Sequence, residues 1–307
     1  MKEVIMKDYL PEYIIPRRGE NKILEIHHGI NNDYFLSYGG CRKNIRFQEK
    51  INLSENNIIG IGLYLAEGKK EKLSKFKKSN HNGEISFDNS DPGAINSVIN
   101  LLKKFGVNRN ELKFNIDLNI NYKSNSDKLE SYWSDKLKLN PHSKRKGFIR
   151  YVGVKNNKLS NNTRPYGCLR IAFSSVILIN IFIPFLLKFF REVISKKDKK
   201  VISLILKGYF AGDGHVSFSQ KISSGRKHVE FLCNDAELRS LLKTSLKILG
   251  INNIKETNPL INRTHTHALR IYNRTDFLVL NKYRVLDFID YKRETFSNLL
   301  SQYKTIS

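Results

Sequence analysis

Two short segments, GIGLYLAEG from Gly60 to Gly68 and LKGYFAGDG from Leu206 to Gly214, follow one plan and constrain this chain more than any other feature. Each reads as the end of an apolar helix in which small residues stand four apart, Gly62 with Ala66 and Gly208 with Gly212. Residues at that spacing share one helix face, so two such helices can pack backbone to backbone with no side chain to hold them off. An acid followed by glycine closes each segment, Glu67-Gly68 and Asp213-Gly214. Close packing therefore predicts two carboxylates gathered at the ends of the helix pair. A carboxylate at a helix C-terminus is electrostatically unfavourable, and two of them call for a cation.

The sequence after each segment is repeated as well. ISFDNSDPGAINSVINLLKKFGV from Ile85 aligns without a gap to VEFLCNDAELRSLLKTSLKILGI from Val229. Asp91 matches Asp235 as an N-cap, Val98, Leu102 and Phe105 match Leu242, Leu246 and Leu249 on an apolar helix face, and Gly106 matches Gly250 as a C-cap. Farther on, CLRIAFSSVILINIF from Cys168 parallels ALRIYNRTDFLVLNK from Ala268, each a strand running into an apolar helix. The order is α-β-β-α-β-β-α, twice.

The expected boundaries are an N-terminal extension over 1–53, a first repeat over 54–190, a charged linker over 191–200, and a second repeat with a C-terminal helix over 201–307. Ser54 and Asp198 are placed to cap the two motif helices. The first repeat is the longer, and its insertion is expected around 122–146, where Lys128 to Leu139 reads as an extra helix packed through Leu129, Trp133 and Leu137. Residues 1–53 match nothing in the second repeat and read as an accessory packing element or a partner-contacting arm.

Composition narrows the partners. The chain carries 53 Lys and Arg against 29 Asp and Glu, a net charge of +24, on 307 residues of which 40% are hydrophobic. That is a folded protein with an affinity for polyanions. Three distant cysteines, Cys41, Cys168 and Cys233, exclude a disulfide framework or a zinc ribbon. The start lacks an apolar leader, and the strongest hydrophobic run, Val176 to Phe190, is broken by Asn180, Pro184 and Lys188. It reads as a buried helix rather than a membrane span, which sets the expectation of an intracellular protein in cytoplasm or organelle matrix.

The two motif segments resemble those of the LAGLIDADG homing endonucleases, in the single-chain form that carries two motifs. The resemblance covers roughly residues 54 to 303. The family's metal-binding acid falls on Glu67 and Asp213, and its small helix-contact positions fall on Gly62, Ala66, Gly208 and Gly212. The sixth motif position, often an acid in the family, is Leu65 and Ala211 here. The resemblance implies an α+β fold of two αββαββα repeats related by a pseudo-twofold axis, whose antiparallel sheets form a saddle that binds DNA, and a monomeric endonuclease that cuts both strands of a long asymmetric site with Mg²⁺ or Mn²⁺. It also implies a basic residue near the last helix of each repeat, for which the nearest matches are Lys188 and Lys292, and polar side chains around metal-bound water, for which they are Ser90 and Asn234. Two carboxylates suffice for Mg²⁺, which retains waters and takes phosphate oxygens. No intein splicing junction is present, so a free-standing or intron-encoded enzyme is expected. The scaffold leaves two alternatives open, an intron RNA maturase and a DNA-binding protein without cleavage.

DNA contacts are expected on the strands after each motif. In Lys69 to Lys78, alternation puts Lys70, Lys72 and Ser74 on one face and Lys69, Lys75 and Lys77 on the other. The second copy offers His215, Ser217, Ser219 and Lys221, then Arg226, Lys227 and His228. Such a ribbon fits a major groove, with lysines fixing phosphates and the other side chains reading base edges. His265 and His267 share a strand face, but without a third ligand nearby they read as DNA-facing or exposed. His27 and His28 are assigned nothing.

Overall fold

Short alternating segments at the start of the chain form β1 (Lys2–Ile5), β2 (Tyr13–Ile14), β3 (Lys22–Ile23), β4 (Glu25–His28), β5 (Asp33–Ser37), β6 (Ile45–Gln48) and β7 (Lys50–Leu53). The computed structural model describes residues 2–16, 19–40, 44–69, 83–120, 126–140, 142, 144–152, 166–217, 227–257 and 266–303. β1 pairs with β7, β2 with β3, and β4, β5 and β6 make an antiparallel sheet that buries Leu36, Ile45 and Phe47. Then comes α1 (Glu55–Glu67). Ser54 caps it: Ser54 Oγ accepts from Asn57 N at 3.3 Å, and Asn57 Oδ1 accepts from Ser54 N at 3.0 Å. Asparagine here plays the part that Glu or Gln has in a capping box.

Next in order are β8 (Glu84–Asn89), α2 (Pro92–Lys104), β9 (Lys113–Asn119), α3 (Ser126–Leu137), β10 (Lys144–Val152), β11 (Cys168–Ser174) and α4 (Val176–Ser195). The strands lie in the order β10-β9-β11-β8. Period-two alternation sends Ile85, Phe87, Phe114, Ile116, Leu118, Leu169, Ile171 and Phe173 to one buried face, against which α2 packs Ile95, Val98 and Leu102. Asp91 caps α2 by accepting from Ala94 N at 2.8 Å. Past its end, Gly106 has φ +76, and a Cβ there would lie 1.9 Å from the carbonyl oxygen of Arg46. Only glycine allows both that turn and the close approach of β6.

The inserted helix α3 buries Leu129, Trp133 and Leu137, and Trp133 Nε1 donates to Tyr166 O at 3.0 Å. It ends at Leu137, not Leu139, because Lys138 takes a left-handed φ of 50°. β10 runs parallel to β9, which requires a crossover connection, and α3 supplies one. In α4 the buried Asn180 is satisfied from outside the helix: its Oδ1 accepts from Ile15 N at 3.0 Å and its Nδ2 donates to Ile15 O at 3.1 Å. Tyr9 and Phe105 each place a ring 4.9 Å from that of Phe185. Residues 1–53 are thereby packed onto α2 and the first half of α4. No helix among the described residues, α4 included, is long and apolar enough to cross a membrane.

Residues 191–195, expected in the linker, are the last turn of α4, and the connection is confined to Lys196–Asp198. Asp198 then caps α5 (Lys199–Asp213), accepting from Val201 N at 3.1 Å. β12 (Gly214–Ser217), β13 (His228–Leu232), α6 (Ala236–Leu249), β14 (Ile254–Thr257), β15 (Ala268–Ile271), α7 (Arg274–Lys282) and α8 (Asp290–Ser301) complete the chain. The strands form an antiparallel sheet in the order β12-β13-β15-β14, and α6, capped by Asp235 and closed by Gly250 at φ +105, buries Leu238, Leu242, Leu246 and Leu249 against it. The neighbour order β8-β11-β9 is the same as β13-β15-β14, so both halves carry one strand plan, while among the described residues β10 has no counterpart in the second sheet.

The chain divides into two units. One comprises Met1–Asn57 and Glu67–Phe185, the other Ile58–Ala66 and Leu186–Ser307, so the division falls within α1 and within α4.

Candidate site at the ends of the glycine-bearing helices

In the second unit, α1 and α5 meet backbone to backbone. A Cβ on Gly62 would lie 2.0 Å from Ile205 O and 2.7 Å from Tyr209 N, and one on Gly208 would lie 2.0 Å from Ile59 O and 2.9 Å from Leu63 N. The contacts are reciprocal: Ile59, Gly62 and Leu63 answer Ile205, Gly208 and Tyr209. Ala66 is buried and Gly212 half-buried. Gly214 has a local steric cause, since a Cβ there would lie 2.2 Å from the Phe210 ring.

The two acids that close these helices have different surroundings. Glu67 is exposed, and its Oε2 accepts from Nδ2 of Asn89, the buried last residue of β8. The Asn89 Oδ1 accepts from Asp91 N at 2.8 Å, which fixes which end of the amide faces the acid. Ser90, expected in this neighbourhood, is half-buried, and its neighbour Asn89 is the residue that holds Glu67. Asp213 is half-buried. The residue aligned with Asn89 is Cys233, a buried free thiol, and the Asn234 side chain accepts from His267 N at 2.9 Å. Beside Cys233, the Tyr209 hydroxyl donates to Leu232 O at 2.7 Å, and burial pushes its pKa far above the ordinary phenol value, so it stays a neutral donor.

Lys292, on α8, is buried, and its Nζ donates to Phe210 O at 2.9 Å, Ala211 O at 2.8 Å and Gly212 O at 3.1 Å. It places a full positive charge on the carbonyl end of α5, immediately before Asp213. That offsets the unfavourable dipole that an acid meets at a helix C-terminus. Lys188, its expected counterpart, is exposed on α4.

The polar faces of the two sheets carry the charged side chains. Lys69 N donates to Ser86 O at 2.9 Å, so the chain pairs with β8 immediately after the first motif, as His215 pairs with Glu230 after the second. His215 is exposed and Ser217, Lys227 and His228 are half-buried, and the pairing of β12 with β13 aligns His215 and Ser217 with Glu230 and His228. Lys70, Lys72, Lys75, Lys77, Ser219, Lys221, Arg226 and His265 lie outside the described residues. His267 is half-buried, with Nδ1 3.2 Å from Thr257 O.

Sequence reasoning missed that arginines on each sheet are held by carboxylates. Arg170 donates to both oxygens of Asp88 at 2.8 and 2.5 Å, Arg150 to both of Asp117 at 2.9 and 2.5 Å, and Arg270 to Glu230 at 2.7 Å. Burial alone would raise the pKa of Glu230, but hydrogen bonds from His228 and Arg270 outweigh it and hold the value down at about 2. The signal was present in the repeated Leu-Arg-Ile, where a charge between two apolar residues of a strand must point to the polar face. The acids gave no such signal, because Asp88 and Glu230 do not align.

Glu67 and Asp213 offer hard carboxylate oxygens, which suit Mg²⁺ or Mn²⁺, and the Asn89 amide and Lys292 keep the ground around them polar and compensated. Among the described residues no three His, Cys, Asp or Glu side chains converge on one point. Either carboxylate taken alone suits a cation that keeps waters and substrate oxygens in its shell.

Residues 200–283 match the family model of the LAGLIDADG-like domain. Among solved structures, the N-terminal LAGLIDADG domain of DUF199/WhiA is similar at 15% identity over 75% of this chain and 82% of that one, with a TM-score of 0.40. Full-length DUF199/WhiA from Thermatoga maritima is similar at 16% identity over 84% of this chain, which spans 64% of that protein's length, with a TM-score of 0.42. No curated protein matches the sequence. The family match falls on the half built from α5, its acid-glycine closure and the sheet β12 to β15, and over those residues the chain carries a LAGLIDADG-like domain.

Proposed function

We propose that the chain is a site-specific endonuclease of the homing type, which hydrolyses both strands of a long, asymmetric DNA duplex and acts as a monomer. The observation that carries this reading is the repeated closure, Glu67-Gly68 and Asp213-Gly214, on two helices whose glycines are in backbone contact. A binding protein has no need of an acid at the same place in both copies. Glu67 and Asp213 each supply oxygen donors to Mg²⁺ or Mn²⁺. When bound, the divalent ion lowers the pKa of water and stabilises charge on the phosphate. Asn89 orients the Glu67 carboxylate, and Lys292 removes the electrostatic penalty on Asp213. Arg150, Arg170, Arg270, Lys69, Lys227 and His215 hold the duplex on the polar sheet faces, where buttressed arginines suit bidentate contacts to guanine.

The test uses purified protein and a duplex that spans the insertion site of its own gene, rejoined without the insertion, with Mg²⁺ and then with chelator. Cutting that requires the metal is expected. Glu67→Gln and Asp213→Asn are each expected to abolish double-strand cutting and leave binding intact. Normal cutting by both variants refutes the assignment, and binding by the wild type without cutting makes the chain a DNA-binding protein.

A further inference from the structure

The first unit contains a cavity of about 830 Å³ that neither motif accounts for. Its walls come from β5 to β7, the first turn of α1 and the last turn of α2. Arg46, Lys50, Lys103 and Lys104 line it against a single acid, Asp33. Asp33 is 2% exposed and takes the Nε of Arg46, and its other oxygen has no donor. The terminal nitrogens of Arg46 and the side chains of Asn52, Asn100, Lys103 and Lys104 have no hydrogen-bond or ion-pair partner among the described residues. Their donor capacity is unspent inside a concave wall. On α2, Asn100, Lys103 and Lys104 stand three and four apart and form a stripe distinct from the Val98 and Leu102 stripe that covers the sheet. The cavity is therefore on the far side of the sheet from Arg170, separate from the polar face assigned to duplex DNA.

A space of this size falls in the range of small-molecule sites, roughly 300–1,000 Å³. Cations select phosphate, while asparagine amides, which both donate and accept, can read the edge of a base. We propose that this cavity binds a nucleotide, with its phosphate held by Arg46, Lys103 and Lys104 and its base faced by Asn52 and Asn100. The nucleotide is either a free mononucleotide or one unit of a single strand.

The full-length protein, in chelator so that nothing is cut, is titrated into a fluorescently labelled single-stranded oligonucleotide of mixed sequence, and anisotropy is read. Lys103→Glu with Lys104→Glu is compared with Lys22→Glu and Lys136→Glu, an exposed pair outside the cavity that changes the net charge equally. The cavity pair is expected to weaken binding about tenfold or more beyond the control pair, and the neutral Asn100→Ala to weaken it as well, with unchanged thermal melting. Equal losses from both pairs overturn the proposal, as does a silent Asn100→Ala. In competition, displacement by ATP or GTP identifies a free nucleotide, and displacement by unlabelled strand alone identifies a strand unit. Inorganic phosphate that competes as well as either one overturns the nucleotide assignment. Duplex binding and cleavage are not read, so failure here leaves the proposed nuclease function untouched, and failure of that function leaves this test valid.

Discussion

Gly62→Ala tests the helix contact on which the second unit is built. In an unobstructed helix interior this substitution stabilises a protein by about 1 kcal/mol, because alanine is the better helix former. Here the added Cβ would sit 2.0 Å from Ile205 O and 2.7 Å from Tyr209 N, both backbone atoms that cannot rotate away. Restoring an ordinary separation of about 3.5 Å requires the helices to part by roughly 1.5 Å. The buried neighbours Ile61, Leu63, Ile205 and Tyr209 then lose contacts that no side chain is placed to refill. Overpacking and lost contact outweigh the propensity gain, and the net expectation is a destabilisation of about 2–4 kcal/mol, read by urea denaturation followed by circular dichroism. Gly208→Ala meets Ile59 O at 2.0 Å and should cost about as much. The double variant should fall short of the sum by about 1 kcal/mol or more, because helices already parted by one methyl group leave room for the other. Gly39, which has nothing within 4 Å, is the control, and Gly39→Ala should stay within about 0.5 kcal/mol of wild type. A Gly62→Ala variant as stable as wild type, or costs that add, would refute the reasoning.

Lys292→Met keeps the length of the side chain but removes the ammonium from the Phe210, Ala211 and Gly212 carbonyls, of which Phe210 O still accepts from Gly214 N, so a loss of about 2–4 kcal/mol is expected by denaturant titration, with partial recovery in Lys292→Arg. Glu230 has a folded pKa of about 2 against an ordinary 4.5, so the unfolded chain binds the proton first as pH falls. Its contribution is complete above pH 4.5 and is lost toward pH 2; Glu230→Gln should flatten that acid limb by on the order of 3 kcal/mol, and an unchanged limb would contradict the His228 and Arg270 pairing. Duplex affinity should fall by about 10³-fold or more between 50 and 200 mM salt if several phosphates are held at once, and a flat response would exclude the basic sheet faces as the binding surface.

Much of the fold was legible because duplication turns weak local signals into a pattern. A single aspartate before an apolar helix is ambiguous, but Asp91 and Asp235 at matched places are both N-caps, and Gly106 and Gly250 both close their helices. The inserted α3 was readable from three apolar residues at helical spacing. What escaped lay in pairing between strands. Alternation shows that Arg170 points to the polar face, but which acid it meets depends on register, and β8 and β13 meet their partners at positions that do not align. The boundary of the linker escaped because charged residues are good helix formers on an exposed face, so Arg191 to Ser195 simply extend α4. At the acids, the bond from Asn89 to Glu67 escaped, because it depends on Asn89 being the last residue of β8 on the face that carries Ile85 and Phe87.

The two copies agree where backbone geometry leaves no choice and differ where it does. Gly62 and Gly208 occupy one contact, in which any larger residue on either helix collides with main chain, so neither copy could change alone. The surroundings of the acids are under no such constraint. Glu67 is exposed beside an oriented amide, while Asp213 is half-buried at a helix end neutralised by a buried ammonium. The sheets have diverged further, one gaining the parallel strand β10 with its Arg150 and Asp117 pair, the other ending in α7 and α8. On the proposed reading this division of labour has a chemical logic. Phosphodiesters on two strands are alike and need acids at fixed places, whereas the bases on either side of an asymmetric site differ, and two unlike polar faces can read them where two copies of one face could not.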